Sequence, residues 1–339
     1  QENGQTFLLL PTTRLVAETA GAEKATALLS HYLSVPTGFP CPVVHDAARS
    51  DDIVLSESGL TEKDSAGFVR ATYSLIVNPD VIRLSGCNSE SLLRGVQTIR
   101  QLFPTEIFSP KPINGVTWSI PGVEIEDEPA FRWRGMMLDV SRHFFSREET
   151  CRMIELFAQQ KFNRVHLHLT DDQGWRIEIK KYPRLTSVGS IRPRTVVGHH
   201  STKPRRYDET PYGGFFTQDD IRAIVAFAAD RGIELVPEID MPGHMAAAIA
   251  AYPELGNFPA SQIEVRDCWG ISTNILNPKK TTLDFMKDIL AEVIDLFPGT
   301  FIHIGGDEAR KDEWDISSKA PKSETEQISA DAAALQTKH

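Results

Sequence analysis

Phe301-Ile302-His303-Ile304-Gly305-Gly306-Asp307-Glu308 is the stretch that decides the fold. Phe301 to Ile304 read as a short buried strand. Two glycines then free the backbone, and two adjacent carboxylates follow. A strand that ends in loop-borne acids is how an α/β barrel presents catalytic groups. In a regular strand Asp307 and Glu308 would point to opposite faces. Gly305 and Gly306 permit a kink or bulge that turns both acids into one cleft. An isolated Asp-Glu pair would read as a solvated turn. The flanking strand, the double glycine and three earlier clusters of the same kind set this one apart.

Upstream of that stretch, strands and helices alternate, the pattern of parallel βα units. A first strand spans 135–140, and its helix opens at Ser146 with Glu149 three residues on, a capping box. A second strand spans 164–169 and is followed by a long loop rich in Gly, Pro and Arg. The next helix opens at Thr217 and stops at Arg231-Gly232. A third strand spans 233–239, a helix runs over 282–297 to a Pro298-Gly299 stop, and the fourth strand is 301–304. Four βα steps in one direction fit half of a (β/α)8 barrel or an open doubly wound sheet. No strand leads into a glycine-rich nucleotide loop, so a nucleotide is not expected.

Each strand ends in polar groups that folding alone does not require. They are Asp139, Ser141, Arg142 and His143; then Asp171, Asp172, Gln173 and Trp175; then Glu238, Asp240 and His244; then Asp307 and Glu308. In a parallel barrel all four clusters lie at one rim. Such a cleft suits sugar hydrolysis, which needs an acid for the leaving oxygen and stabilisation of an oxocarbenium-like centre. Glu308 is the candidate acid. Arg142 offers a fork of donors for hydroxyls. His244 can relay charge with Asp171 or Asp240. Neighbours such as Asp307 and Glu308 project from nearly one point. They are poorly placed to flank a bond from opposite sides, which favours a substrate that supplies its own nucleophile.

Residues 1–120 read as a small α/β accessory domain. An apolar run covers 7–10, a helix 21–33, and a hairpin 73–85 turns at Asn78-Pro79-Asp80. A further helix covers 91–103. The acidic stretch Pro121 to Pro129 reads as a linker, opening a second region, 121–339, that carries the chemistry. The net charge of −10 argues against nucleic acid as a partner. No apolar run is long enough to span a bilayer. The four cysteines show no metal-ligand spacing, and most are expected to be buried thiols.

The chain resembles glycoside hydrolase family 20, the β-N-acetylhexosaminidases. The resemblance rests on Arg134-Gly-Met-Met-Leu-Asp-Val-Ser-Arg-His-Phe144, His166-Leu-His-Leu-Thr-Asp-Asp-Gln-Gly-Trp175, Pro237-Glu-Ile-Asp-Met-Pro-Gly-His244 and His303-Ile-Gly-Gly-Asp-Glu308, in the family's order and with compatible spacing. It implies a (β/α)8 TIM-barrel catalytic domain preceded by a small α/β domain, and retaining, substrate-assisted hydrolysis of terminal β-linked N-acetylglucosamine or N-acetylgalactosamine through an oxazolinium. Glu308 would then be the general acid and base. Asp307 would hold the acetamido N–H, Arg142 would bind hydroxyls, and Asp171 and His244 would form a supporting relay with Asp240 nearby. No metal or organic cofactor is expected. The partner is a glycan ending in N-acetylhexosamine, and the expected location is periplasmic or secreted.

Only about the first four βα units are visible, and 309–339 hold no strand-like run, at most a short helix at 332–335. The expectation is therefore an amino-terminal portion of a barrel, weak in activity alone and prone to self-association through open sheet edges. Three other readings compete. One is a metal-dependent amidohydrolase using His166 and His168, both on one face of a strand. Another is an inactive carbohydrate-binding fragment. The last is a conventional glycosidase with Glu238 as nucleophile.

Overall fold

The computed structural model describes residues 2–58 and 72–316. The chain divides into two compact units. One comprises 1–134, 156–163 and 230–232; the other comprises 135–155, 164–229 and 233–339. The helix expected over 332–335 lies outside the described residues.

The first unit is a mixed sheet carrying two helices. In chain order it holds β1 (Glu2–Leu8), β2 (Leu15–Ala17), α1 (Glu23–Thr37), β3 (Val43–Val44), β4 (Asp52–Glu57), β5 (Tyr73–Val77), β6 (Val81–Gly86), α2 (Ser89–Leu102) and β7 (Ser119–Asp127). The strand order is β1-β7-β5-β6-β4-β2-β3. The β3, β2, β4 and β6 strands run parallel, while β5, β7 and β1 add on antiparallel. The sheet buries aliphatic side chains: Leu15, Ile53, Leu55, Leu75, Ile82 and Leu84 are fully enclosed. Helix α2 starts at a reciprocal cap, in which Ser91 N donates to Asn88 Oδ1 (2.9 Å) and Asn88 N donates to Ser91 Oγ (3.0 Å).

The expected linker over 121–129 is corrected here: it falls largely within β7. Its two prolines and acids masked a strand pattern in which Ile120 and Val123 face the core. Pro121 is tolerated because it lies opposite Thr6 of β1, while pairing to β5 begins only at Glu124. Its missing N–H therefore removes no bond to β5.

The second unit contains β8 (Gly135–Asp139), most of α3 (Arg147–Gln159), β9 (Arg164–His168), β10 (Thr170–Asp171), β11 (Gly174–Trp175), α4 (Arg184–Ser187), β12 (Ile191–Arg192), β13 (Val196–Val197), β14 (Arg206–Tyr207), β15 (Tyr212–Gly213), α5 (Gln218–Ala229), β16 (Glu234–Glu238), α6 (Ala246–Ala251), α7 (Lys280–Leu296) and α8 (Asp312–Ile316). Strands β8, β9 and β16 form a parallel sheet in register, with Asp139 and Glu238 both opposite His168. The capping box of α3 is formed: Ser146 N donates to Glu149 Oε2 at 2.8 Å and Glu149 N to Ser146 Oγ at 3.2 Å.

The expected fourth strand is reduced to a single parallel bridge between His303 and Glu238. His303 N donates to Pro237 O (2.9 Å), and Ile239 N and Met241 N donate to His303 O and Ile304 O (both 3.1 Å). The segment has one neighbour among the described residues, and Gly305 and Gly306 turn it away at once with φ of +64° and +99°. The long loop after β9 is not featureless. Its short strands close the pairs β10–β11, β12–β15 and β13–β14. All four cysteines are free thiols, but only Cys41 and Cys87 are buried; Cys151 and Cys268 are part-exposed. Among the described residues no helix is long and apolar enough to cross a membrane.

Candidate active site

The strand ends of the second unit converge on Asp171. This carboxylate is buried, and its two oxygens divide the work. Oδ2 pairs with Arg142 Nη2 at 2.6 Å and with His168 Nε2 at 2.9 Å. Oδ1 lies 3.3 Å from His244 Nδ1 and accepts the Asp172 backbone N–H at 2.6 Å. Burial pushes its pKa up, but the His168 and His244 contacts and the Arg142 charge more than reverse that, to about 2.

Arg142 is oriented from three sides. Its Nη1 donates to Asp139 Oδ2 (2.9 Å), its Nε donates to Gln173 Oε1 (3.1 Å), and its Nη2 meets Asp171. The side chain stays 37% exposed, so N–H groups remain for a ligand. Burial disfavours its charge, yet Asp171 and Asp139 hold its pKa above the usual value.

Glu238 is the hub of a second set. His166 Nε2 and His168 Nδ1 both lie 2.5 Å from its Oε2, and His303 Nδ1 lies 3.2 Å from its Oε1. The rings of His166 and His303 stack at 4.6 Å. Burial raises the pKa of Glu238, but hydrogen bonds from His166 and His168 bring it far below the usual carboxylate range. His168 is buried too, which disfavours its charge; Asp171 and Glu238 on either side nevertheless raise its pKa to about 10. It is therefore an imidazolium at neutral pH, and its 3.2 Å approach to Arg142 Nη1 is tolerated because Asp171 contacts both cations while Asp139 pairs with Arg142 and Glu238 with His168. Glu238 is 2% exposed and engaged by imidazoles, which leaves it no path to attack a sugar. His166 and His168, the pair of the amidohydrolase expectation, each direct a ring nitrogen at Glu238.

His244 links this interior to the acid pair. It sits in the left-handed region (φ +54°), with Nδ1 toward Asp171 and Nε2 3.4 Å from Glu308 Oε2 and 3.7 Å from Asp307 Oδ2. These are ion-pair contacts off the line of the N–H bonds. Asp171 and Asp172 raise its pKa to about 11, so at neutral pH it is a fixed positive bridge. Both acids are open, with side chains 65% (Asp307) and 49% (Glu308) exposed. Asp240 underlies the turn that presents them: its Oδ1 accepts the Gly306 N–H at 3.1 Å. A Cβ on Gly305 would fall 1.8 Å from that oxygen, so this position requires glycine. Burial raises the pKa of Asp240 to about 7.

Arg142, Asp171, Asp240, His244, Asp307 and Glu308 thus form one connected set. Two strand-end residues stand apart from it. The His143 ring packs against Phe145 and Tyr212, and buried Trp175 donates its indole N–H to Ile177 O at 2.7 Å. Sequence reasoning missed two buried arginines that staple the rim. Arg176 donates to the carbonyls of Ser141, Ser190 and Gly214, and Arg192 donates to those of Arg142 and Gln173. Arg176 alternates with apolar Trp175 and Ile177, which reads as an outward position; here both faces of the segment are covered.

Parallel βα units thus bring together strand-end carboxylates, a positioned guanidinium and an exposed acid pair. Residues 131–339 match the catalytic domain of glycosyl hydrolase family 20, and residues 1–128 match domain 2 of the same family. The chain belongs to glycosyl hydrolase family 20, the family its motifs pointed to. A β-hexosaminidase from Porphyromonas gingivalis is 45% identical over 251 residues, which is 74% of this chain and 30% of that protein. A β-hexosaminidase from Vibrio furnissii is 37% identical, covering 86% of this chain and 45% of that protein. The chain therefore spans less than half the length of these two relatives. Among solved structures, the family 20 β-N-acetylhexosaminidase of Streptomyces coelicolor superposes with a TM-score of 0.79 at 33% identity, covering 96% of this chain and 60% of that one. A Streptomyces plicatus β-hexosaminidase mutant in complex with the product N-acetylglucosamine gives 0.79 at 34% identity, covering 95% and 59%.

Proposed function

We propose that this chain carries the catalytic acids of a β-N-acetylhexosaminidase, which hydrolyses terminal β-linked N-acetylglucosamine or N-acetylgalactosamine with retention. The observation that carries this reading is the shared approach of Asp307 and Glu308 to a single nitrogen, Nε2 of His244, at 3.7 and 3.4 Å. Adjacent carboxylates that gather at one nitrogen are poorly placed to flank a glycosidic bond from opposite faces, as a conventional retaining pair does at about 5–5.5 Å. The nucleophile then comes from the substrate. The 2-acetamido oxygen attacks the anomeric carbon, the glycosidic C–O bond breaks, and Glu308 gives its proton to the leaving oxygen. Asp307 accepts a hydrogen bond from the acetamido N–H and balances the charge of the oxazolinium. Glu308, now ionised, takes a proton from the water that opens the ring. Arg142 donates to hydroxyls of the terminal sugar. Asp171 and His244 fix the position of the acids, with Asp240 supporting the turn. The relatives named as β-hexosaminidases, and the neighbour solved with N-acetylglucosamine, support this substrate class.

The same proposal places these βα units in a (β/α)8 barrel, preceded by a small accessory α/β domain. The outer strand β8 supports it: Met136 and Met137 are 43% and 47% exposed, apolar surface that further strands would cover.

Aryl alcohol release from an aryl β-N-acetylglucosaminide tests the reading in the full-length protein. Glu308→Gln is expected to lower kcat/KM by roughly 10²–10⁴-fold. Equal turnover by the two proteins would overturn the assignment of the acid.

A further inference from the structure

The partners of the Arg142 guanidinium are not alike. Asp139 and Asp171 are carboxylates, and they hold the terminal nitrogens Nη1 and Nη2 at 2.9 and 2.6 Å. Gln173 is neutral and takes the remaining edge, its Oε1 accepting from Nε at 3.1 Å. The two ionic contacts fix where the charge sits, but leave the guanidinium plane free to tilt about the line joining Nη1 and Nη2. The contact at Nε fixes that tilt. The N–H bonds that Arg142 keeps for a ligand lie in the same plane, so their aim depends on it.

Gln173 is itself held. Its side-chain Nε2 donates to Cys268 O at 3.0 Å. Reversing the amide would set its NH2 against the Arg142 N–H and its oxygen against the Cys268 carbonyl, so only one orientation serves. The backbone beneath it, between β10 and β11, is pinned as well. Gln173 O accepts from Arg176 Nη2 and Arg192 Nη1, both at 3.3 Å, and Arg266 N donates to Asp172 O at 3.0 Å. The residue is 5% exposed. One buried amide thus carries the position of the 266–268 backbone to the guanidinium.

We propose that Gln173 is a positioning residue: it sets the tilt of Arg142, and through it the affinity for the terminal sugar, without touching the substrate. The inference rests on the hexosaminidase reading above, in which Arg142 donates to sugar hydroxyls. Such contacts are made in the ground state and the transition state alike, so loosening them raises KM and spares kcat.

The test is the steady-state kinetics of the full-length protein on an aryl β-N-acetylglucosaminide. Gln173→Met keeps the length of the side chain and removes both hydrogen bonds. It is expected to raise KM about tenfold with kcat nearly unchanged. Gln173→Glu keeps an acceptor for Nε and should recover most of that loss. In an Arg142→Ala background, where there is no guanidinium to tilt, Gln173→Met should leave KM where it was. An unchanged KM in Gln173→Met alone, a fall in kcat without a rise in KM, a Gln173→Glu as impaired as Gln173→Met, or an equal rise in KM with and without Arg142 each overturns the positioning role and leaves the hexosaminidase reading intact. A wild-type KM in Arg142→Ala overturns instead the assignment of Arg142 to the sugar, and this inference with it.

Discussion

The two units use the same kind of parallel strand to opposite ends. In the first, β4 and β6 enclose Ile53, Leu55, Ile82 and Leu84, a dry aliphatic interior. In the second, β9 and β16 begin in the same way with Val165, Leu167, Leu235 and Val236, but finish in His168 and Glu238 and lead on to Asp171, Asp240 and His244, all buried. An aliphatic interior is tolerant of exchange because dispersion and burial are non-directional. A buried charge set is not, since each member is stable only while its partners stay in place. The first unit is built for stability, and the second holds charge where chemistry needs it.

The comparison is broken most directly by taking one charge from the second unit. Asp171→Asn leaves Arg142, His168 and His244 without their common partner, and is expected to cost about 3–5 kcal/mol. Urea unfolding monitored by exchange of the β9 and β16 amides measures it, and a loss below that of a surface substitution would refute the buried-charge account. Leu84→Ala in β6 gives the matching change in the dry core, with an expected cost of about 2–5 kcal/mol from lost burial and the cavity left behind. Here the aryl glycosidase rate at a temperature where both proteins are folded should not move. A changed rate would contradict the contrast drawn between the dry core and the charged site.

The pH dependence sharpens the contrast with a smaller effect. The folded pKa values of His168 and His244, about 10 and 11, lie above the ordinary 6.5. Their stabilisation is complete below about pH 6.5 and is lost as pH rises through 10 and 11. Asp240, raised to about 7 from 3.8, adds in the same direction, because its folded state favours the proton. Asp171, lowered to about 2, contributes stability that is present above about pH 3.8 and lost as pH falls through 2. Amide protection in β9 and β16 is expected to fall between about pH 7 and 10 ahead of that in β4 and β6. Parallel loss in both units would contradict it.

Much of the site was legible because its residues sit at the ends of strands that announce themselves. His166, Leu167 and His168 alternate, Ser146 and Glu149 mark a helix start, and Gly305-Gly306 precede the acids. Asp240 explains the first of those glycines, since its oxygen occupies the space of a side chain there. What was not legible depends on partners distant in sequence. Glu238 and the imidazoles of His166, His168 and His303 meet only because three backbone segments lie side by side. Arg176 and Arg192 bind backbone carbonyls, which carry no sequence signature. Strand β7 is hidden by its prolines and acids, which obscure the alternation of Val123, Glu124, Ile125 and Glu126. The segment 301–304 reads as a full strand because an apolar tetrad does not reveal that, among the described residues, it pairs only through the His303–Glu238 bridge.

The central claim is that the substrate supplies the nucleophile, with Asp307 and Glu308 acting from one side. The measurement that tests it most directly compares kcat/KM for aryl β-glycosides bearing 2-acetamido and 2-trifluoroacetamido groups, with the full-length protein. Fluorine withdraws electrons from the attacking carbonyl oxygen, so the account predicts a steep fall for the trifluoro substrate. Equal rates for the two would contradict it and return the search to a nucleophile on the protein.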